Sequence, residues 1–406
     1  MPRVSTYPMV SVQHALDAIL QHASPLDSER VGLLQARGRY LSRDVQADAD
    51  VPGLPRSSVD GYAVIADDSA PALEVLEEVT AGRLAHAQVR PGTAVRIMTG
   101  GTLPHGADAV VMVEDVDEAP NARAVLLHKP RPGENVHPPG MDLARGQTVL
   151  SAGTRLGPAE VGLLATIGCV DVPVFRRPRV AVLATGDEVV EPHVTPPPGT
   201  VRDSNRYALI AAAEEASAEV VWQAHAPDHE AELESGIRNG LQTADVLLTS
   251  GGVSMGTRDL IKPVLERVST IHFGRVAFKP GKPLTFATTA QSKLIFGLPG
   301  FPVSSLVTFE VFVRPALLRL AGAVQVRRPR VSVRLGHDIR PDPVRLEYQR
   351  ARLRWQDDAF VADTTGLQVS SRLLSIVGAN ALLEIPPGGD MLPAGSNVQA
   401  MLLANL

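Results

Sequence analysis

The chain has a single cysteine, Cys169, among 406 residues, so neither a disulfide framework nor a thiolate cage around a metal is available to it. Aromatic residues make up 4%, too few for a stacking platform along a single-stranded nucleic acid. A basic excess is missing too: the formal net charge is −5, the wrong sign for a surface that follows a phosphate backbone. A small anionic ligand would need only a local cluster of Lys or Arg. No uninterrupted apolar run is long enough to span a bilayer, and the amino terminus MPRVSTYPMV has no apolar h-region. The 11 histidines show no metal-ligand spacing. The expectation is a soluble cytoplasmic protein with no nucleic acid and no membrane among its partners.

What the chain has in quantity is turn-forming residues, 34 Gly and 33 Pro, spread over a length that suits about two to four domains. SVQHALDAILQHA places Val12, Leu16, Ile19 and Leu20 on one helical face behind a Ser11 N-cap. Short β-like runs (AVRIM, AVVMV, AVLLH) follow between Gly, Pro and Asp turns, and then the helical stretch GPAEVGLLATIGC, which could pack back against the first helix. From Pro178, strands such as VAVLAT and DVLLT alternate with helices near Tyr207–Ala218, from Asp228, from Asp259 and over PVSSLVTFEVFVRPALLRL. That alternation predicts a mainly parallel, doubly wound sheet. After RRPR the runs VSVRL, EYQRARLRW, AFVAD and ALLEI predict a small β-barrel or sandwich. The expected organisation is a multidomain α/β plus β protein. Residues 1–45 with 145–177 form a helical and extended linker region, 46–144 a β-rich insertion, 178–327 the central α/β domain and 328–406 the barrel.

Three strings carry the chemistry: TSGGVSMGTRDL from Thr249, VAFKPGKPLTF from Val276 and IFGLPGFPVSSL from Ile295. ADVLL and KLIF read as buried strands, which sets the Gly- and Pro-rich turns at carboxyl ends, where open α/β sheets bind ligands. Ser250, Gly251, Gly252 and Ser254 can present backbone N–H groups as an anion nest at the start of a helix. Lys279 and Lys282 flank a rigid Pro-Gly turn. Pro299 and Pro302 remove two backbone donors, and Ser304 opens a helix whose positive end favours an anion. In ATGDEVV, Asp187 and Glu188 suit Mg²⁺ or a helix start equally. Glu188, Asp228 and Asp259 follow three strands of one sheet, so their carboxylates can converge on one rim and assist catalysis with a metal. Singly, Asp228 also fits an N-cap, and Asp60-Gly61 also fits a type I′ hairpin turn.

Together SSVDGYAV, RIMTGG, GADAVVMVED, PGENV with GMDL, ATGDEVV, RDSN, TSGGVSMGTRDLIKP, HFGRVAFKPGKP, FGLPGFPVSSLVTFE and QVSSRLLSIVGANALLEIPP resemble the molybdopterin molybdenumtransferase family, known as MoeA in bacteria and as the carboxyl-terminal domain of gephyrin in animals. The resemblance implies adenylylated molybdopterin and molybdate as substrates, Mg²⁺ as cofactor, and molybdenum cofactor and AMP as products. It assigns Glu188, Asp228 and Asp259 to Mg²⁺, and Asp60, Thr99 and Asp142 to a cleft reached from the insertion. Asp60 and Asp142 are left to bind the pterin or to relay protons. Lys279, Lys282, Ser304 and Arg350 match a molybdate pocket and Ser370 the pterin side. It implies a homodimer with the cleft between subunits, and allows transient contact with a molybdopterin adenylyltransferase. Phe301 stands where the family usually has Asn, and His137 lies where many relatives are basic. A pterin adenylyltransferase and a non-catalytic pterin-binding scaffold are the competing readings.

Overall fold

A computed structural model describes residues 7–252 and 260–404. Its centre is a six-stranded sheet built from β1 (Arg179–Thr185), β2 (Glu219–Ala226), β3 (Val246–Ser250), β4 (Thr270–Phe273), β5 (Thr285–Thr288) and β6 (Leu294–Leu298). The strand order is β2-β1-β3-β6-β5-β4. The first four in this order run parallel, as the alternation of strands and helices predicts, whereas β5 is antiparallel to both its neighbours, β6 and β4. VAVLA and VLL are apolar on both faces because helices cover both sides, giving two cores separated by the sheet.

Helix α1 (Val12–His22) begins at Ser11, whose hydroxyl accepts from the His14 N–H at 3.1 Å. Its buried face, Ala15, Leu16 and Ile19, joins the cluster of Phe273, Phe286 and Leu317 in the α/β domain. Helix α2 (Pro158–Thr166) packs elsewhere, with Leu41, Leu156 and Val174. The two helices expected to meet across the insertion therefore serve different cores. The reason is the bulk of the aromatic face that α1 finds on the α/β domain. Helix α3 (Asn205–Glu215) starts two residues earlier than the Ala-rich run suggests, and α4 (Glu230–Thr243) follows Asp228. The stretch expected as one long helix runs from Pro302 to Leu320 with a π turn at Phe309–Val313. Pro315 has no N–H to give back to the preceding turn, and the wider turn accommodates that loss.

The insertion forms its own six-stranded sheet, in the order 109–112, 61–64, 93–97, 73–79, 123–126, 116–119. Apolar residues fill both its faces, Tyr62, Leu73 and Val111 on one and Val79, Val95 and Ile97 on the other. Its entry and exit segments run side by side: Val45–Gln46 pairs with Thr148–Leu150, and Val51 bridges Leu143. Beyond residue 329, strands Arg330–Leu335, Leu346–Gln356, Ala359–Thr364, Ala381–Ile385 and Asn397–Leu402 close into a barrel, because the long second strand pairs with both the third and the fourth. The barrel is tied to the α/β domain by parallel pairing of Phe278–Lys279 with Leu346–Glu347.

At the antiparallel edge of the central sheet, His22 of α1 meets His272 of β4, with Nε2 atoms 3.1 Å apart, and His272 also bonds the Thr288 hydroxyl at 2.8 Å. Burial, and secondarily His22, hold the His272 pKa below its ordinary value. The folded state therefore binds the proton less readily than the unfolded chain. Stability should be intact above about pH 6.5 and decline as pH falls below it. Thermal melts at neutral pH and at about pH 5 should show a smaller acid-induced fall in Tm for His272→Gln than for the wild type. An equal fall in both would place the acid sensitivity elsewhere.

Candidate active site

At the carboxyl ends of β1, β3 and β6, where the parallel strands stop in register, lies a cavity of about 940 Å³. This is the edge at which α/β sheets offer free backbone groups and helix starts to ligands. Gly251 shows why β1 and β3 can end so close together. Its φ is +97°, and a Cβ there would lie 2.7 Å from the Thr185 carbonyl oxygen. The Asn205 amide then fastens the next two turns, donating to Ser250 Oγ and to the Gly300 carbonyl oxygen, each at 2.7 Å.

The cavity collects most of the residues that the three strings suggest. Ser250, Gly251 and Gly252 line one wall, Lys279 and Lys282 another, and Pro299, Pro302 and Ser304 a third. Ser370 reaches in from a barrel loop, held by the Val303 N–H, which donates to the Ser370 carbonyl at 3.1 Å. Ser254 and Asp259 lie outside the described residues. Asn205 is a lining residue that the sequence reading passed over, although its position just before a helix in RDSN was a usable signal.

The cations divide into paired and unpaired. Lys279 Nζ is 3.1 Å from the Glu347 carboxylate and 3.8 Å from Asp342. Asp342 is held down at about 2, first by its hydrogen bond from Arg345, so it stays ionised throughout the physiological range. Lys282 has no carboxylate partner among the described residues. Arg345 lines the cavity, whereas Arg350 does not. Arg350 is 1% exposed and sits behind the Ser370 loop, donating to Ser375 Oγ at 3.1 Å and to the carbonyls of Val369 at 3.3 Å and Leu367 at 3.5 Å. Burial pushes its pKa down to about 10, which still leaves it charged at neutral pH. Arg350 thus lies behind the cavity lining, and Arg345 lies on it.

The carboxylates also separate. Glu188 lines the cavity and pairs with no cation among the described residues. Its carboxylate folds over Gly186, φ +132°, where a Cβ would lie 2.6 Å from Oε2. Neighbouring Asp187 accepts from the Asp228 backbone N–H at 3.0 Å, and this segment turns into a two-residue strand instead of a helix. The α4 N-cap position is His229, not Asp228. Among the described residues no three His, Cys, Asp or Glu side chains gather closely enough to hold a metal ion. Glu188 supplies a hard oxygen ligand at the cavity wall, the donor type that Mg²⁺ prefers.

The insertion holds a second cavity, about 480 Å³, lined by Asp50, Arg56, Thr99, His137 and Asp142. Asp60 stands behind Thr99, accepting from its N–H at 2.6 Å and its hydroxyl at 2.7 Å. These bonds, the hydroxyl first, hold the Asp60 carboxyl below its usual range. No hairpin turn forms at Asp60-Gly61. Gly61 begins a strand, and the glycine is required because a Cβ would lie 2.0 Å from the Val111 carbonyl oxygen. The two cavities share no lining residue within one chain.

Comparisons with known proteins agree with this geometry over nearly the whole chain. Three family descriptions match in succession: MoeA N-terminal region (domain I and II) over residues 10–168, probable molybdopterin binding domain over 181–319, and MoeA C-terminal region (domain IV) over 332–403. A molybdopterin molybdenumtransferase from Nostoc sp. is 35% identical over 412 residues, covering 98% of this chain and 94% of that protein. Gephyrin from Dictyostelium discoideum is 34% identical over 99% of this chain, which spans 63% of gephyrin's length. The crystal structure of the molybdopterin biosynthesis moeA protein from Pyrococcus horikoshii OT3 superposes with a TM-score of 0.83 at 29% identity, covering 97% of this chain and 100% of that one.

The position of Arg350 has a measurable consequence. Arg350→Ala should lower unfolding stability by about 3 kcal/mol, since it empties buried volume and strands carbonyl and hydroxyl acceptors. Denaturant unfolding gives the size of the loss, and amide exchange should accelerate in residues 367–376. An exchange pattern unchanged from the wild type would remove Arg350 from that role.

Proposed function

The chain belongs to the molybdopterin molybdenumtransferase family, and on that premise we propose that it inserts molybdenum in molybdenum-cofactor biosynthesis, converting adenylylated molybdopterin and molybdate to molybdenum cofactor and AMP. The observation that carries this reading is the meeting, in one cavity at the carboxyl edge of the sheet, of Lys279, Lys282 and Arg345 with the carboxylate of Glu188.

Molybdate is a tetrahedral dianion, costly to bury without counter-charges. Lys282, with no carboxylate to give up among the described residues, makes the first contact. Lys279 is held in place by Glu347, and Arg345 by Asp342, so both offer fixed donors whose charge is already partly offset. That arrangement favours a doubly charged oxyanion over a singly charged one. Ser304 and Ser370 contribute hydroxyls to the cavity lining. Glu188, with Asp228 and Asp259, would hold Mg²⁺, whose charge would polarise the phosphate linkage of the adenylylated pterin. The dithiolene of the pterin supplies the sulfur ligands of molybdenum, so a chain with one cysteine suffices.

Asp60, Thr99 and Asp142 form the second part of the site. The separation of their cavity from the lysine cavity within a chain supports the reading in which the working unit is a homodimer, with the insertion of one subunit facing the α/β domain of the other. The first test is to incubate the purified protein with adenylylated molybdopterin, Mg²⁺ and molybdate and to measure AMP and active cofactor. ATP consumption with free molybdopterin, and no AMP release, would replace this reading by an adenylyltransferase.

Two predictions follow from the charges and from the dimer. Lys282→Ala should raise the molybdate concentration for half-maximal activity about ten- to a hundredfold, the value of a charge-assisted hydrogen bond, and Lys279→Ala less. Equal shifts would mean that Glu347 does not offset the Lys279 charge. Mixed Asp60→Ala and Glu188→Gln chains, each inactive alone, should recover about a quarter of wild-type activity after random subunit exchange, as one intact site forms in each mixed dimer. No recovery after demonstrated exchange would put both residues in the same chain's site.

A further inference from the structure

The cavity contains a ring that no step above uses. Phe301 is 62% exposed, and it is the sole aromatic side chain among the described residues lining the cavity. Isolated exposed apolar residues are ordinary on protein surfaces. Three observations set this one apart.

The first is position. Phe301 is the N-cap of the helix that starts at Pro302, and its side chain makes no capping hydrogen bond. Asn, Ser, Asp or Thr would cap that helix, so the chain forgoes a helix cap in order to hold a ring here. The second is rigidity. Pro299 and Pro302 fix the backbone on either side, the Ser305 N–H donates to the Phe301 carbonyl at 2.9 Å, and Asn205 holds Gly300 at 2.7 Å. Little conformational freedom remains to be lost when a ligand docks. The third is surroundings: the rest of the described lining is glycines, prolines, hydroxyls, charged groups, Asn205 and the small aliphatics Ala184, Val189 and Val201, none of which gives a flat heterocycle an aromatic face.

We propose that Phe301 is a stacking platform for a planar heterocycle of the substrate and a determinant of which ring system the cavity accepts. The proposal rests on the reading of this cavity as a pterin-nucleotide site. Two rings of the same chemistry occur in that substrate, the pterin and the adenine, and the experiment separates them.

AMP and a free oxidised pterin are titrated separately into the wild type and into Phe301→Tyr, Phe301→Leu and Phe301→Asn, by calorimetry for AMP and by fluorescence for the pterin. One of the two rings should bind the wild type and the Tyr variant alike, and the Leu and Asn variants about tenfold more weakly, in line with base stacking on an aromatic side chain. The ring whose affinity falls is the one that stacks. Phe301→Asn should at the same time melt no lower than the wild type, because it restores a cap, which separates lost stacking from lost folding. Affinities for both rings within twofold of wild type in the Leu and Asn variants would overturn the proposal, as would a wild-type protein that binds neither ring at millimolar concentration. These titrations are independent of AMP release: Phe301-dependent ring binding without turnover would sink the transferase reading and leave the platform standing.

Discussion

The active-site architecture depends on a two-residue contact between domains. Phe278 and Lys279 leave the α/β fold and pair in parallel with Leu346 and Glu347 at the start of the longest barrel strand. The pairing alone is small, but it places the Lys279 ammonium against a buried carboxylate and brings the barrel loop that carries Ser370 over the edge of the sheet. Without it, the lysine turn would face solvent and the wall opposite the Gly-rich loop would be missing. A buried ion pair contributes uncertainly to stability and much more to register. Here register is what matters, because a one-residue slip of the strand would turn Glu347 away from Lys279.

The charge arrangement has a logic of its own. A site for a dianion needs cations, yet several bare cations in one cavity repel one another and attract any anion present. Pairing Lys279 with Glu347, and Arg345 with Asp342, lowers the net field while keeping the donors in place, and Lys282 is left to provide the attraction. Glu188 lines the same space without a counter-cation among the described residues.

Much of this was legible in the sequence, for reasons that can be named. Strings such as ADVLL before Thr249 read as strands because a buried parallel strand is apolar on both faces, and the turns that follow are forced to the ligand-binding edge. The α/β sheet was visible in periodicity, and so was a small all-β unit at the carboxyl end, though not whether it is a barrel or a sandwich. Other features were hidden by physics that sequence spacing does not carry. Arg345 and Arg350 lie five residues apart near the start of one strand, and that strand is covered on both faces, so alternation gives no sign of which guanidinium meets the cavity. Asp60-Gly61 has the composition of a hairpin turn, but the glycine is there for close approach to Val111, a contact between strands about fifty residues apart in the chain. The partner of α1 was equally unreadable, since an amphipathic helix declares that it has an apolar face but not what will cover it.

The insertion leaves and rejoins the chain through adjacent antiparallel segments, Val45–Gln46 against Thr148–Leu150. An excursion whose ends are already held together adds its closure entropy once, at the neck, whatever its interior does. The lobe above that neck has its own two apolar layers and is therefore a separate cooperative unit, free to open or to accumulate substitutions without unzipping the central sheet. The insertion's cavity is thereby mounted on a part that can vary in stability independently of the part that carries the lysine cavity. A single melting temperature for this chain would average two events that the fold keeps apart.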